Sequence, residues 1–143
     1  MHLNARKAVL AGIAGTVVMT LISAVVAPMM GMPKMNPAEM LAGQMGGGLM
    51  VGWTAHFMIG TVLALVYAAM AHSLAGPPWF RGATYGLAPW LLAQLAVMPM
   101  MGMPFFSGSM TMAGGSLVGH LIYGAVVGAI YGASPPPVRV AHA

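Results

Sequence analysis

Four stretches of this chain run long enough to cross a lipid bilayer without one charged side chain: 8–28, 49–71, 83–101 and 113–133. A hydrocarbon layer about 30 Å thick takes roughly 20 apolar residues of helix to span. Only 4% of the 143 residues are charged and 59% are hydrophobic, and the mean hydropathy of +0.87 lies far outside what a water-facing surface needs. The sequence therefore predicts an all-α membrane protein with four transmembrane helices.

The few charges set the orientation. Arg6, Lys7, Arg81 and Arg139 fall on one side of the four stretches and only Lys34 on the other, so the positive-inside rule puts both termini in the cytoplasm of a prokaryotic inner membrane. Arg6 and Lys7 before the first stretch invite comparison with a signal peptide. The apolar run exceeds the usual 7–15 residue core and lacks a clean cleavage site, so it is taken as retained. The net charge of +4 then orients the chain and draws it weakly to anionic lipid; no basic stripe points to nucleic acid. With no cysteine there is no disulfide framework, thiolate metal site or cysteine nucleophile.

The chain also repeats itself. At an offset of 71 residues Ala27-Pro-Met-Met-Gly-Met-Pro33 falls on Met98-Pro-Met-Met-Gly-Met-Pro104, and at an offset of 64 His56, Gly60 and Tyr67 fall on His120, Gly124 and Tyr131. The difference between the offsets is the extra length of the first outer loop. One membrane domain, 1–143, thus divides into two tandem helical hairpins, about 6–72 and about 79–133, with a disordered tail at 134–143. Both hairpins start on the same side, so they are parallel repeats, and short connections favour a four-helix bundle. The repeated Pro-Met-Met-Gly-Met-Pro block ends a helix where the chain must turn.

The first outer loop carries more than a turn. Asn36-Pro37-Ala38-Glu39 supplies an N-cap, a proline at the first helical position and an acid at the third, and Gly46 to Gly48 stop the run, which predicts a short helix on the outer surface. Glu39 is the only acid in the protein; its expected role is capping, and two-carboxylate chemistry is excluded. On the inner side Trp79 and Arg81 suit an interface anchor, while His2, His72 and His142 sit in termini or loops. Pro89 kinks the third stretch near Gln94.

His56 and His120 stand apart from the other histidines. Along the i+4 rows of their helices each interrupts a ridge of small residues, Gly52, Gly60 and Ala64 in one case and Ser116, Gly124 and Gly128 in the other. Such ridges mark close helix approach, so both rings are expected inside the bundle, at equal depth, about 10 Å from the outer ends. The plainest reading is polar glue: neutral rings bonded to Thr16, Thr20, Ser23 or backbone. Two sharper ones compete. Of 17 methionines thirteen fall at the outer side: Met29, Met30, Met32, Met35, Met40, Met45 and Met50 in one hairpin, and Met98, Met100, Met101, Met103, Met110 and Met112 in the other. Thioether and imidazole are soft ligands suited to Cu(I) in an oxidising compartment, so Met29, Met30, Met32, Met100, Met101 and Met103 are candidate copper ligands leading down to His56 and His120. Alternatively the two histidines are axial ligands of a b-type haem, with the neighbouring glycines making room for the macrocycle. Quinone binding beside Trp53 or Trp90 has no specific motif behind it.

Enzymatic chemistry has little to stand on, for there is no phosphate loop, Ser-His-Asp set or His-Glu-x-x-His. Channel and transport readings lack intramembrane Asp, Glu, Lys or Arg. The segments AGIAGTVVMT and GHLIYGAVVGAIYG, with the proline-methionine turn between them, resemble a family of small uncharacterised four-helix prokaryotic membrane proteins; the resemblance implies a fold and no known activity. The expected role is a non-catalytic accessory subunit or binding module of a larger membrane complex, or a self-associating one. The small-residue rows at Gly12 to Gly15 and Gly82 to Gly86 are candidate partner surfaces or, equally, internal packing faces.

Overall fold

A computed structural model describes residues 3–132; the tail at 134–143, with Arg139 and His142, and His2 lie outside the described residues. Those residues form an all-helical chain with no strand. In chain order the helices are α1 (Ala5–Met29), α2 (Pro37–Met45), α3 (Leu49–Ser73), α4 (78–100) and α5 (Met110–Tyr131). Among the described residues three, α1, α3 and α5, are long and apolar enough to cross a membrane. Three of the four expected spans are thus met by length and composition. Helix α4 continues from Pro78 to Met100 through a wide turn, but Thr84, Pro89, Gln94 and Pro99 dilute its apolar character.

The internal repeat is written into the backbone. Ile22–Val26 and Ala93–Val97 are both π-helical, 71 residues apart, each ending one residue short of a proline, Pro28 or Pro99. Proline lacks an N–H and its ring crowds the carbonyl four residues back; the wider π turn takes that crowding up without ending the helix. The Ala27 amide accordingly donates to Ile22 O and the Met98 amide to Ala93 O.

The next turn explains why Pro-Met-Met-Gly-Met-Pro occurs twice. Gly31 and Gly102 have φ of +79° and +74°, the left-handed conformation that costs glycine little. In the first copy the Gly31 amide donates to Pro28 O and the Met32 amide to Ala27 O; in the second Gly102 donates to Pro99 O and Met103 to Met98 O, all four at 3.0 Å. This is a Schellman cap, and the second proline of each block follows it as a stop.

Packing follows the small residues. Within the first hairpin Gly12 faces Gly60, Thr61 and Ala64, and a Cβ at Gly60 would collide with Thr16 Oγ1. Within the second, Gly82 and Gly86 lie against the backbone of α5 at His120, Gly124 and Gly128. The rows at Gly12–Gly15 and Gly82–Gly86 are therefore internal, the second of the two places the sequence allows them. Each histidine-bearing row packs onto its own hairpin partner, a pairing that the small-residue ridges alone do not name.

The two hairpins meet unequally. Helix α1 packs along α5, where Gly15 receives Tyr123 and Val127; α3 and α4 touch only sparsely. What joins α3 to α4 lies at the end opposite the methionine turns. There Arg81 Nη1 donates to Ala71 O at 2.8 Å and Tyr85 Oη to Leu63 O at 2.8 Å, and the Tyr67 and Tyr85 rings stack edge to face at 5.3 Å. Arg81 is buried against the last turn of α3, where a cation meets the negative end of the helix dipole. Its guanidinium is thus spent inside the chain, whereas the neighbouring Trp79 is exposed.

Candidate functional site

Where α3 and α4 part, a cavity of about 220 Å³ opens between the hairpins at the methionine-rich end. Ile59 and Leu63 of α3 face Pro89, Leu92 and Ala93 of α4 across it. Thr16, Met19 and Ser23 of α1 form its back wall. Beneath it Tyr123 Oη donates to Gly60 O, tying α5 to α3. The π turns of α1 and α4 both contribute wall residues, Ser23 from one and Ala93, Gln94 and Val97 from the other.

Two loop elements close the top, and here the repeats differ. In the first hairpin α2 supplies Pro37, Met40 and Leu41. Asn36 starts this helix as the sequence predicts, its Oδ1 accepting from the Ala38 amide and its Nδ2 donating to Glu39 Oε1 at 2.7 Å; Glu39 thus serves the cap. The helix is seated on α3 at Gly52, where any Cβ would strike the Ala38 carbonyl. In the second hairpin a 3₁₀ turn, Phe105–Gly108, takes its place, with Phe106 and Ser107 at φ of +53° and +58°. Non-glycine residues are held in that region only when the surroundings fix them. Here the Ser107 hydroxyl is buried and donates to Gln94 Oε1 at 3.1 Å, and Gln94 Nε2 donates to Ser116 Oγ at 3.4 Å.

Both histidines line this one cavity. His56 Nε2 lies 3.0 Å from Thr20 Oγ1, whose own proton goes to Thr16 O at 2.8 Å. The threonine oxygen is left as an acceptor, so His56 carries its proton on Nε2 and presents Nδ1 as a lone pair. His120 Nδ1 lies 2.8 Å from Ser116 O. A carbonyl can only accept, so the proton is on Nδ1 and Nε2 is the lone pair. Among the described residues neither bare nitrogen has a protein partner, and neither is sealed off as a buried orphan. The polar-glue reading accounts for one nitrogen of each ring and leaves the other over.

The methionines sort into two groups. Met29, Met30 and Met100, candidate copper ligands by sequence, point away from the cavity at 82%, 72% and 81% exposure. Of the six methionines named with the histidines, only Met101 lines the cavity with them; Met30 and Met32 line a separate crevice, and Met103 lines neither. The cavity instead holds Met19, Met35, Met40, Met98 and Met101. Sequence reasoning missed Met19 because it lies about three turns below the outer loop, and Gln94 and Ser107 because nothing in the local pattern marks a polar chain running between two helices. The room that a haem would need beside the histidines is already taken, since Gly60 abuts Thr16 and Gly124 abuts Gly82. Among the described residues no three His, Asp or Glu side chains converge, so any metal here would rest on imidazole and thioether together.

Residues 3–139 match a family described as a family of unknown function (DUF6789), and the chain belongs to that family. This agrees with the resemblance to a family without known activity. No curated protein and no solved structure matches the chain.

Proposed function

We propose, for a member of a family whose function is open, that this chain is a non-catalytic membrane module that holds a small ligand between its two hairpins. The observation that carries this reading is that His56 and His120, one from each repeat, line a single cavity with one ring nitrogen free on each. Helix α4 counts as the fourth span, because its π turn, proline and Schellman cap repeat those of α1, giving a four-helix bundle of two parallel hairpins. Leu10, Val17 and Leu21 of α1 and Val62 and Val66 of α3 are exposed, as lipid-facing side chains are. The Arg81 end faces the cytoplasm of a prokaryotic inner membrane and the methionine-rich end faces outward. A chain this small works beside a larger membrane assembly or with copies of itself.

Cu(I) is the ligand class favoured by the lining. Two imidazoles and the thioethers of Met19, Met35, Met40, Met98 and Met101 surround the cavity, and such ligands select soft cations over Mg²⁺ or Ca²⁺, which take oxygen. Haem is not proposed. Pockets for drug-sized ligands run to roughly 300–1,000 Å³, and the space of about 220 Å³ is smaller than a tetrapyrrole requires.

The test is elemental analysis of protein purified in mild detergent after growth with copper and iron both available. Copper near one or more equivalents per chain, one of them lost in His56→Leu/His120→Leu, supports the reading. Stoichiometric iron returns the argument to haem. Trace levels of both leave the histidines as packing groups and direct attention to whatever membrane complex co-purifies.

A further inference from the structure

A second crevice, of about 290 Å³, lies between the outer turn of α1 and the first turns of α5. Its sulfur-bearing side chains are Met30, Met32, Met35 and Met112, and no imidazole or carboxylate lines it. Met32 lies over α5 with its sulfur 3.4 Å from where a Cβ on Gly115 would stand, an ordinary contact distance. Met35 and Ser23 line this crevice and the histidine cavity alike. The Met35 amide reaches Ser23 O at 3.5 Å, holding this residue beside the π turn of α1 where the two spaces adjoin.

We infer that the outer crevice is a second Cu(I) station, built of thioethers alone, and that Met35 hands the ion between it and the histidine cavity. This rests on the copper reading of that cavity. Thioethers are neutral and soft, so they hold Cu(I) without gaining or losing a proton, and they bind hard cations poorly. Met30 is largely exposed while Met32, Met35 and Met112 are half-buried, which grades access from the surface inward. Imidazole is the stronger donor, so the ion passes from sulfur toward His56 Nδ1 and His120 Nε2. It arrives as Cu(I) and stays Cu(I); no electron is transferred.

The experiment is an anaerobic titration of the detergent-purified full chain with Cu(I) against a chromogenic Cu(I) chelator. Two equivalents are expected for the unaltered protein. Met30→Leu/Met32→Leu/Met112→Leu loses one, His56→Leu/His120→Leu loses the other, and Met35→Leu weakens both. Leucine keeps volume close to that of methionine, and retention of the inner equivalent reports that the triple variant is folded. X-ray absorption on the unaltered protein at two equivalents gives an independent reading, a shell richer in sulfur than at one. No binding at all overturns the copper reading and this inference together. One equivalent, insensitive to the methionine triple and lost with the histidines, overturns the second station and leaves the cavity reading standing. A shell without sulfur at two equivalents, or weakening of neither ion by Met35→Leu, overturns the handover.

Discussion

The two seams between the hairpins are equivalent by the repeat and opposite in use. Where α1 meets α5, Gly15 admits Tyr123 and Val127 and the helices close along their length. The same relation carries α1 onto α4 and α5 onto α3, so Tyr123 and Val127 correspond to Ile59 and Leu63. In that second seam Gly86 is spent on α5, against His120 O, and Ile59 and Leu63 look into the cavity. A duplicated hairpin supplies two copies of one interface; this chain closes one to hold itself together and leaves the other open to hold something else.

Wedging the closed seam should do the most damage. Gly15→Leu meets Tyr123 Cδ2 and Val127 Cγ2 at 2.9–3.0 Å already at its Cβ, and overpacking of that kind costs about 3 kcal/mol. Unfolding in mixed detergent micelles should show it, and an unaffected midpoint would mean that α1 and α5 do not bind tightly. Next in size are the repeat-equivalent truncations. Val127→Ala, at a fully buried site, loses about 2 kcal/mol of packing, and Leu63→Ala, facing the cavity, loses less than half of that. Equal losses would show the two seams to be alike.

Smaller effects sharpen the contrast. Tyr123→Phe removes the one hydroxyl that ties α5 to Gly60 O below the cavity and should cost about 1 kcal/mol. Gly31→Ala and Gly102→Ala place a Cβ at φ of +79° and +74° and should each cost about 1 kcal/mol. Their near-equality is the point, because the Schellman caps are one feature that the repeats keep unchanged. Last, Ala93→Leu fills the open seam; stability should move by no more than about 0.5 kcal/mol while ligand binding is lost.

Much of this was legible beforehand, and the reasons differ by element. Helical content, the hairpin repeat, the short helix capped by Asn36 and the inward facing of His56 and His120 all follow from periodicity and local chemistry, which sequence carries directly. The π turns could have been found in advance only from their place before Pro28 and Pro99. Which ridge meets which was not legible: Gly60 and Gly124 announce close approach without naming the partner, and choice of partner depends on a seam that one repeat unit cannot encode. For the same reason the sequence could not show that Arg81, read as an interface anchor, reaches Ala71 O. Methionine clustering marked the right end of the molecule but not the right side chains. Exposure separates Met29 and Met100 from Met40 and Met98, and exposure is a tertiary property.

Two histidines, one from each repeat, acting on one ligand is the central claim, and a double-mutant cycle on Cu(I) affinity tests it most directly. The measurement takes a parent in which the Met30, Met32 and Met112 substitutions block the outer station, and adds to it His56→Leu, His120→Leu and both together. If both rings coordinate the same ion, each single variant should lose nearly as much affinity as the double, a strongly non-additive cycle. Losses that simply add, or singles that bind as the parent does, would contradict it and return both histidines to packing.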